Sequence, residues 1–373
     1  MRFVARKDQI IESIRQMVEI ESPSDNKAAV DRLGQLLARK FEGLGGHSKF
    51  HRSTDFGDHL QVDFAGAGAR KPVLLLGHID TVYPLGTLAT MPYRNGDGRL
   101  WGPGTLDMKS GIAYILHAIE ALHDQEGRLP RPVTVLLVSD EEVGSTSSRP
   151  ITESLARRSS TVLVLEPSYG LHGAVKTARK GVGEYQLKVT GLAAHAGLDF
   201  DKGQSAVLEL AHQIERISKF SDVKRGLTVN VGLVSGGTRV NVIPAQAFAS
   251  IDVRVMKLAD SSGIDRKMRS LKPVNRKCKL EVKGSVDRPP LERSAAVISL
   301  FRNASKLAKE LGWKLEEAAV GGGSDGNLTA ALGIPTLDGL GGVGEGAHAI
   351  HESVLISELP RRTALLARLI ESV

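Results

Sequence analysis

Three apolar segments of strand length each end in side chains that can bind a metal ion. The segment LLLGHID ends in His78 and Asp80, and VTVLLVSDEE ends in Asp140, Glu141 and Glu142. A third segment, TVLVLE, ends in Glu166. In open α/β sheets, ligands bind beyond the carboxyl ends of the strands. We therefore expect these six side chains to converge at one edge of a sheet.

Two further segments offer metal ligands outside these strands. Asp107 lies in the glycine- and proline-rich segment WGPGTLDMKSG, and GAHAIHE supplies His348 or His351. Each residue taken alone has an ordinary alternative role, because strand-end carboxylates commonly cap helices and single histidines are commonly structural. A cluster of carboxylates, however, is repulsive unless a cation compensates it. Imidazole and carboxylate donors suit zinc, with cobalt or manganese as alternatives.

The composition is that of a globular protein with more than one domain. The chain has 373 residues, 41% of them hydrophobic, and chains beyond about 250–300 residues usually divide into domains. The longest apolar runs have strand length, so no membrane span is predicted, and the N-terminal segment has the pattern of an amphipathic helix rather than of a secretion signal. The single cysteine, Cys278, excludes an internal disulfide and a cysteine-based metal site. We expect a cytoplasmic protein.

The net charge of +7 indicates either an ordinary solvated basic surface or a field that attracts anions. Aromatic residues make up only 4% of the chain, and it contains no helix-turn-helix, zinc-finger or RNA-binding signature. We therefore expect no nucleic-acid partner and favour a small acidic substrate.

The order of strand and helix patterns predicts an α/β fold with two domains. Up to about residue 180, strands rich in valine and leucine alternate with amphipathic helices, which is typical of a mostly parallel sheet covered by helices. Residues 181–290 show the order βαββαβ of a ferredoxin-like unit, and a helix pattern returns after residue 291. The sequence predicts a discontinuous domain over 1–180 and 291–373, with a second domain inserted over 181–290.

Eight segments resemble, in the same order, motifs of the aminoacylase/glutamate carboxypeptidase family of dinuclear zinc metallopeptidases. They are GHIDTV, GPGTLDMKSG, DEEVGS, LEPS, GLAAHAG, NVIPAQAFASIDVRV, GGGSDGN and GAHAIHE. The resemblance covers nearly the whole chain, and GGGSDGN and DRPPLE are most similar to the glutamate carboxypeptidase branch. It implies a zinc-exopeptidase-type catalytic domain, with a mixed, mostly parallel sheet covered by helices. It also implies that the inserted ferredoxin-like α+β domain serves as a dimerisation and lid domain.

The resemblance implies two Zn²⁺ ions per chain, held by five residues: His78, Asp107, Glu142, Glu166 and His348. His78 and Glu166 would bind one ion, while Glu142 and His348 would bind the other. Asp107 would bridge both ions and precede a cis peptide bond. Asp80 would orient the imidazole of His78, as carboxylates commonly do for metal-binding histidines. The family spacing of His, three residues and Glu is met by His348 and Glu352, which favours His348 over His351.

The resemblance also implies the catalytic roles of Glu141 and His195. Glu141, whose ordinary alternative is an ion pair or a helix cap, would act as the general base on metal-activated water and then protonate the leaving amine. His195, on the inserted domain, would reach the active site of a partner subunit and stabilise the oxyanion. The protein would then be a homodimer through the inserted domain, and closure of this lid would complete the site.

Binding of a substrate carboxylate requires cationic or polar side chains. By resemblance, Arg288 and Asn241 hold the terminal carboxylate of the substrate, which arginine binds through two parallel hydrogen bonds. Lys180 is a further candidate, whereas Arg254 is either a candidate or a structural residue of its strand. The backbone amides of GGGSDGN and the side chain of Ser324 would line the specificity pocket.

Three functions compete on this sequence. The first is a zinc-dependent amide hydrolase that releases a C-terminal amino acid, with glutamate favoured, from a small anionic peptide or N-acyl conjugate. The second keeps the chemistry and changes the substrate, as in an N-acyl amino acid deacylase or a succinyl-diaminopimelate desuccinylase-like enzyme. The third is a non-catalytic binding protein on the same fold. The presence of the base and all five ligands argues against the third.

Overall fold

The computed structural model describes residues 2–373, and the chain forms two compact units. The first unit comprises the residues up to Thr177 together with Arg293–Val320 and Ser324–Val373. The second unit comprises Ala178–Glu292 and the three glycines Gly321–Gly323.

The helices of the described chain are α1 (Arg2–Ala5), α2 (Lys7–Val18), α3 (Lys27–Gly43), α4 (Ser110–Glu126), α5 (Arg149–Arg158), α6 (Ala206–Ser218), α7 (Leu258–Arg269), α8 (Ala295–Glu310), α9 (Asp325–Ala331) and α10 (Leu359–Ser372). The strands are β1 (His47–His51), β2 (His59–Phe64), β3 (Val73–His78), β4 (Arg94–Gly96), β5 (Arg99–Trp101), β6 (Val133–Val138), β7 (Thr161–Val164), β8 (Val175–Arg179), β9 (Gly181–Thr190), β10 (Thr228–Gly236), β11 (Gln246–Val255), β12 (Lys279–Arg288), β13 (Glu317–Val320), β14 (Thr336–Leu337), β15 (Gly344–Glu345) and β16 (Ser353–Leu355). None of the described helices is both long and apolar enough to cross a membrane.

The main sheet of the first unit is mixed and mainly parallel. Its strand order is β1-β2-β6-β3-β7-β14, in which β6, β3, β7 and β14 run parallel while β1 and β2 pair antiparallel. Strands β3 and β6 are buried along their whole length, as expected for strands covered on both faces. Their carboxyl ends therefore lie side by side at one edge, which places His78 beside the segment that follows β6.

The two faces of the main sheet contact different helices. In β3, Val73 and Leu75 join the larger core with helices α2, α4 and α10. Leu74 and Leu76 point to the opposite face and pack with Leu155 of α5. Because side chains alternate along a strand, this continuous apolar run supplies both cores and fixes the register of β3.

The second unit contains one antiparallel sheet with the strand order β10-β11-β9-β12. In chain order it reads β9-α6-β10-β11-α7-β12, which is the ferredoxin-like order βαββαβ. Tyr185, Leu187 and Val189 of β9 alternate inward and pack with Leu210 of α6 and Ile264 of α7. Helices α6 and α7 thus cover the same face of the sheet.

Candidate metal centre

The first group of candidate ligands forms at the carboxyl ends of β3 and β7. The Nε2 atom of His78 lies 3.1 Å from Oδ1 of Asp107 and 3.5 Å from Oε1 of Glu166. His78 is the last residue of β3 and is buried, whereas Glu166 follows β7 by two residues. These three side chains can bind one metal ion together.

The second group shares Asp107 with the first. The Nε2 atom of His348 lies 3.2 Å from the carboxylate of Glu142 and 3.5 Å from Oδ2 of Asp107. Within each group the candidate ligand atoms lie within 4.8 Å of one another. Asp107 therefore turns one oxygen towards His78 and the other towards His348, which is the arrangement required of a carboxylate that bridges two ions.

The carboxylates of the two groups create a negative potential that favours bound positive charge. Hydrogen bonds to Asp107 and Glu142 raise the pKa of His348 to about 10. Burial lowers the pKa of His78, but Asp107 and Asp80 outweigh burial and raise it well above its usual range. Burial alone would raise the pKa of Asp107, but its hydrogen bonds with His348 and His78 have the larger effect and lower this pKa below its usual range. The carboxylates thus attract cations, and imidazole and carboxylate donors fit divalent zinc.

Asp80 contacts His78 mainly through its backbone. The carbonyl oxygen of Asp80 lies 2.9 Å from Nδ1 of His78, whereas the nearer carboxylate oxygen lies 3.4 Å away. The carboxylate instead accepts hydrogen bonds from the hydroxyl of Ser24 at 2.7 Å and from the backbone N–H groups of Glu141 and Glu142 at 3.3 and 3.2 Å. Asp80 therefore connects the imidazole of one group to the turn that carries a ligand of the other.

The three acidic residues Asp140, Glu141 and Glu142, which follow β6, have different roles. Asp140 is buried and its carboxylate accepts N–H bonds from Ser147 and Ser148, so it closes the loop rather than facing the metal groups. Glu141 and Glu142 begin the short 3-10 turn Glu141–Val143, and both are partly exposed. Glu141 is thus adjacent in sequence to a candidate ligand and accessible to a substrate.

Glu352 and Tyr83 also contact the centre, and neither residue had a predicted role. The buried carboxylate of Glu352 accepts backbone N–H bonds from Gly104, Leu106 and Asp107, each 2.8 Å long. Burial raises the pKa of Glu352 to about 7 despite these hydrogen bonds. The Tyr83 hydroxyl donates to the carbonyl oxygen of Ala349 at 3.0 Å, next to His348. The spacing of His348 and Glu352 was the available signal for Glu352. The peptide bond between Asp107 and Met108 is cis.

The predicted oxyanion and carboxylate ligands lie in the second unit. Nδ1 of the exposed His195 accepts N–H bonds from Gly197 and Leu198, both 3.1 Å long, which leaves the proton of the neutral imidazole on Nε2. Asn241 is exposed, and its carbonyl oxygen accepts an N–H bond from Ala196. Lys180 lies partly exposed between β8 and β9.

Arg288 ends β12 and packs against one glycine of GGGSDGN. A Cβ atom added to Gly323 would lie 2.8 Å from Cδ of Arg288. The buried Arg179 donates to the carbonyl oxygens of Gly322 and Gly323 at 3.3 and 2.8 Å, which holds this segment in place. Arg254 pairs with Asp252 on the same strand, which supports its structural alternative.

Ser324 has a clear structural role. It is the N-cap of α9, where its hydroxyl accepts the N–H of Gly326 and donates to Asp338. Asn327 completes a reciprocal capping box, and Ser324 is fully buried. Its predicted contact with substrate stays a prediction.

A mixed α/β sheet with two histidine–carboxylate groups that share one aspartate is an arrangement typical of metal-dependent hydrolases. The chain belongs to peptidase family M20/M25/M40, whose family model matches residues 74–372. It is therefore a hydrolytic enzyme that acts on amide bonds, and the predicted family is confirmed.

Known relatives are similar over most of the chain. The chain is 32% identical over 380 residues to carboxypeptidase G2 from Pseudomonas sp. (strain RS-16), which covers 99% of this chain and 91% of the relative. It is 26% identical over 328 residues to succinyl-diaminopimelate desuccinylase from Dechloromonas aromatica, covering 83% and 86% of the two chains.

Solved structures share the fold over the whole chain. Aminopeptidase PepT from Bacillus cereus superposes with a TM-score of 0.82 at 22% identity and covers 98% of both chains. The YXEP protein of Bacillus subtilis, described as a dinuclear metal binding peptidase from the M20 family, gives a TM-score of 0.73 at 17% identity and covers 98% of both chains.

Proposed function

We propose that the protein is a two-zinc carboxypeptidase that releases C-terminal glutamate from a small peptide or an N-acyl conjugate. The observation that carries this proposal is the pair of ligand groups sharing Asp107, with Glu141 adjacent to one of them. The similarity to carboxypeptidase G2 supports the reaction class.

The zinc ligands in this proposal are the members of the two groups. His78 and Glu166 would hold one ion, Glu142 and His348 would hold the other, and Asp107 would be shared. Two divalent ions at such a site supply Lewis acidity, which polarises the scissile carbonyl and makes water more acidic. Cobalt or manganese would suit the same donors.

Glu141 carries the proton in the proposed reaction. Its carboxylate removes a proton from the attacking water while the water oxygen bonds to the amide carbon. It then delivers that proton to the amide nitrogen, so that the C–N bond breaks and a neutral amine leaves. The bonds from the backbone N–H groups of Glu141 and Glu142 to Asp80 hold the turn that presents this carboxylate.

His195 and dimerisation form one linked part of the proposal. The Nε2–H of His195 is the donor for the developing oxyanion, supplied by a partner subunit, and the two N–H bonds to Nδ1 support the required tautomer. The second unit also exposes apolar side chains on the edge strand β10 and on α6, where Leu233 is 71% and Leu208 59% exposed. Covering such a surface favours a homodimer. Light scattering that finds only monomers would exclude this part.

Arg288, Asn241 and Lys180 are the proposed ligands of the substrate's terminal carboxylate. Arg288 offers a two-point contact, and its Cδ atom, next to the guanidinium group, lies close to Gly323. The net charge of +7 favours the approach of an anionic substrate.

The test of the reaction compares neighbouring variants of the zinc-loaded protein. Glu141→Gln should retain two zinc ions and lose about 10²–10⁴-fold in kcat, because loss of a general base has effects of this size. Glu142→Gln, one residue along, should lose zinc as well as activity. If Glu141→Gln kept full activity with both ions bound, the assignment of the base would be refuted.

A second candidate is an N-acyl amino acid deacylase or a desuccinylase, which the similarity to succinyl-diaminopimelate desuccinylase favours. The chemistry is unchanged and only the acyl group and the amine differ. Turnover of a dipeptide ending in glutamate, of N-acetylglutamate and of N-succinyl-diaminopimelate should separate the two. Preference for the last substrate would overturn the glutamate assignment and leave the mechanism standing.

A further inference from the structure

Residues 103–107 form the segment that contains Asp107, and a buried carboxylate holds this segment. Oε1 of Glu352 accepts the N–H groups of Leu106 and Asp107, and Oε2 accepts that of Gly104, all at 2.8 Å. The residue Glu352 is 0% exposed, so it cannot touch a substrate. One of these bonds is made to the backbone of Asp107 itself.

The same segment is also held by a buried ammonium group. Nζ of Lys109 donates to the carbonyl oxygens of Ile20 at 3.0 Å and Pro103 at 3.4 Å. Lys109 is 1% exposed, and Ile20 lies just beyond helix α2, whose Ile14 and Met17 are core residues. The ammonium group therefore connects Pro103, at the start of the segment, to Ile20, which follows a helix of the main core.

These contacts are directional and charged, which sets them apart from ordinary loop packing. A carboxylate that accepts several N–H groups makes charge-assisted hydrogen bonds, which are stronger than neutral ones. Leaving either buried charge without its partners is costly, so the segment between them has little freedom. Asp107 needs that restriction because its two oxygens must face His78 and His348 simultaneously, at 3.1 and 3.5 Å.

Glu352 also links the shared ligand to the second group through its own chain. It lies four residues after His348, and its N–H bonds to the carbonyl oxygen of Ala349 at 3.0 Å. The Tyr83 hydroxyl bonds to the same carbonyl oxygen. A movement of Glu352 would therefore displace both Asp107 and His348.

We propose that Glu352 and Lys109 are positioning residues, which fix Asp107 between the two histidines before metal ions bind. This inference rests on the proposed function, because it concerns how the zinc ligands are arranged. Neither side chain acts on the substrate, and both act through Asp107.

The test measures zinc affinity by competition with a chelator, alongside kcat and KM on an N-acyl glutamate. Glu352→Gln and Lys109→Met should each weaken zinc binding about 10–100-fold, the range found for residues that orient metal ligands. They should lower kcat with little change in KM, since the substrate contacts are intact. Glu352→Asp, which keeps the charge and loses reach, should also weaken zinc binding, whereas Lys109→Arg should restore part of it.

The matched control is Glu345→Gln, which removes a half-exposed carboxylate that pairs with Arg99 at 2.9 Å. It should leave zinc affinity and kcat unchanged. Circular dichroism identifies any variant that fails to fold, in which case Glu352→Asp and Lys109→Arg decide the question. If the variants bind zinc and turn over like the wild type while only their melting temperature falls, the residues are merely structural and the inference is overturned. A wild-type chain that binds no zinc would overturn the proposed function together with this inference.

Discussion

Gly323 provides a test of the proposed carboxylate site without altering any charged group. It is the last of three consecutive glycines, and an added Cβ would lie 2.8 Å from Cδ of Arg288 and 3.4 Å from Cγ2 of Val182. At Gly321 and Gly322, by contrast, no described atom lies within 4 Å of an added Cβ. None of the three has a backbone conformation restricted to glycine. Alanine at 321 or 322 is thus a matched control for alanine at 323.

The size of the effect follows from the contact distance. Ordinary contact begins at 3.4 Å, so Cδ of Arg288 must move by at least 0.6 Å (3.4 minus 2.8) to accommodate the new methyl group. Functional groups need to stay within about 0.5 Å of their productive positions. Misplacing a hydrogen bond to a charged group costs about 1.5–3 kcal/mol. At about 1.4 kcal/mol per factor of ten, we expect a fall in kcat/KM of about 10–150-fold for Gly323→Ala.

Steady-state kinetics on an N-acyl glutamate provide the assay. The loss should appear mainly in KM, with the melting temperature nearly unchanged, because a long side chain can move more easily than the backbone. In the background of Arg288→Ala, the alanine at 323 should cost little further, because both changes act on the same contact. Equal losses in all three alanine variants, or wild-type kinetics for Gly323→Ala, would show that the position of Arg288 beside Gly323 does not determine substrate binding.

Three further outcomes are expected at the metal centre. In Asp80→Asn, only one side-chain oxygen remains to accept the three hydrogen bonds that the two carboxylate oxygens accept now. Zinc affinity should therefore fall about 10–100-fold in a chelator competition. An unchanged affinity would contradict the role of Asp80 in positioning the ligands. Without metal the pKa of His348 is about 10, so its imidazole is protonated at neutral pH and must lose that proton to bind zinc. Zinc affinity should therefore rise with pH up to this pKa. Calorimetry in buffers of different ionisation enthalpy should detect the released protons. Identical binding heats in all buffers would contradict the release of a proton from His348. Removing the ions should lower the melting temperature, since saturation to about 1,000 times Kd stabilises a protein by about 4 kcal/mol, and zinc should restore it. Identical melting curves with and without chelator would argue that no ion binds.

The positions of the candidate ligands His78, Glu142 and Glu166 could be anticipated because each follows a continuous apolar strand, whereas Asp107 and His348 lie outside these strands. Such runs predict buried parallel strands, and parallel strands bring their carboxyl ends to one edge. The contacts among these side chains could not be anticipated. Whether His78 meets the carbonyl or the carboxylate of Asp80 depends on differences of less than an ångström. The short strands β4, β5, β15 and β16 were also missed, because two or three residues show no periodicity.

Roles carried by the backbone were harder to predict than roles carried by side-chain chemistry. Glu352 matched a family spacing, but its three bonds go to N–H groups, which every non-proline residue possesses. Ser324 was predicted to line the specificity pocket, whereas its hydroxyl caps α9. A serine followed three residues later by a polar residue indicates a helix start, so a signal for this role was present in the sequence. The alternating pattern of residues 181–190 gave β9 directly, since one face of its sheet is covered and the other is not.

Because a single carboxylate belongs to both ligand groups, the two proposed ions would not bind independently. The first cation to arrive partly neutralises Asp107 and repels the second, so successive ions should bind with decreasing affinity. Limited supply of metal would then give half-filled molecules rather than a mixture of full and empty ones. If activity needs both ions, it would rise late in such a titration. The enzyme would then be active only above a threshold concentration of metal.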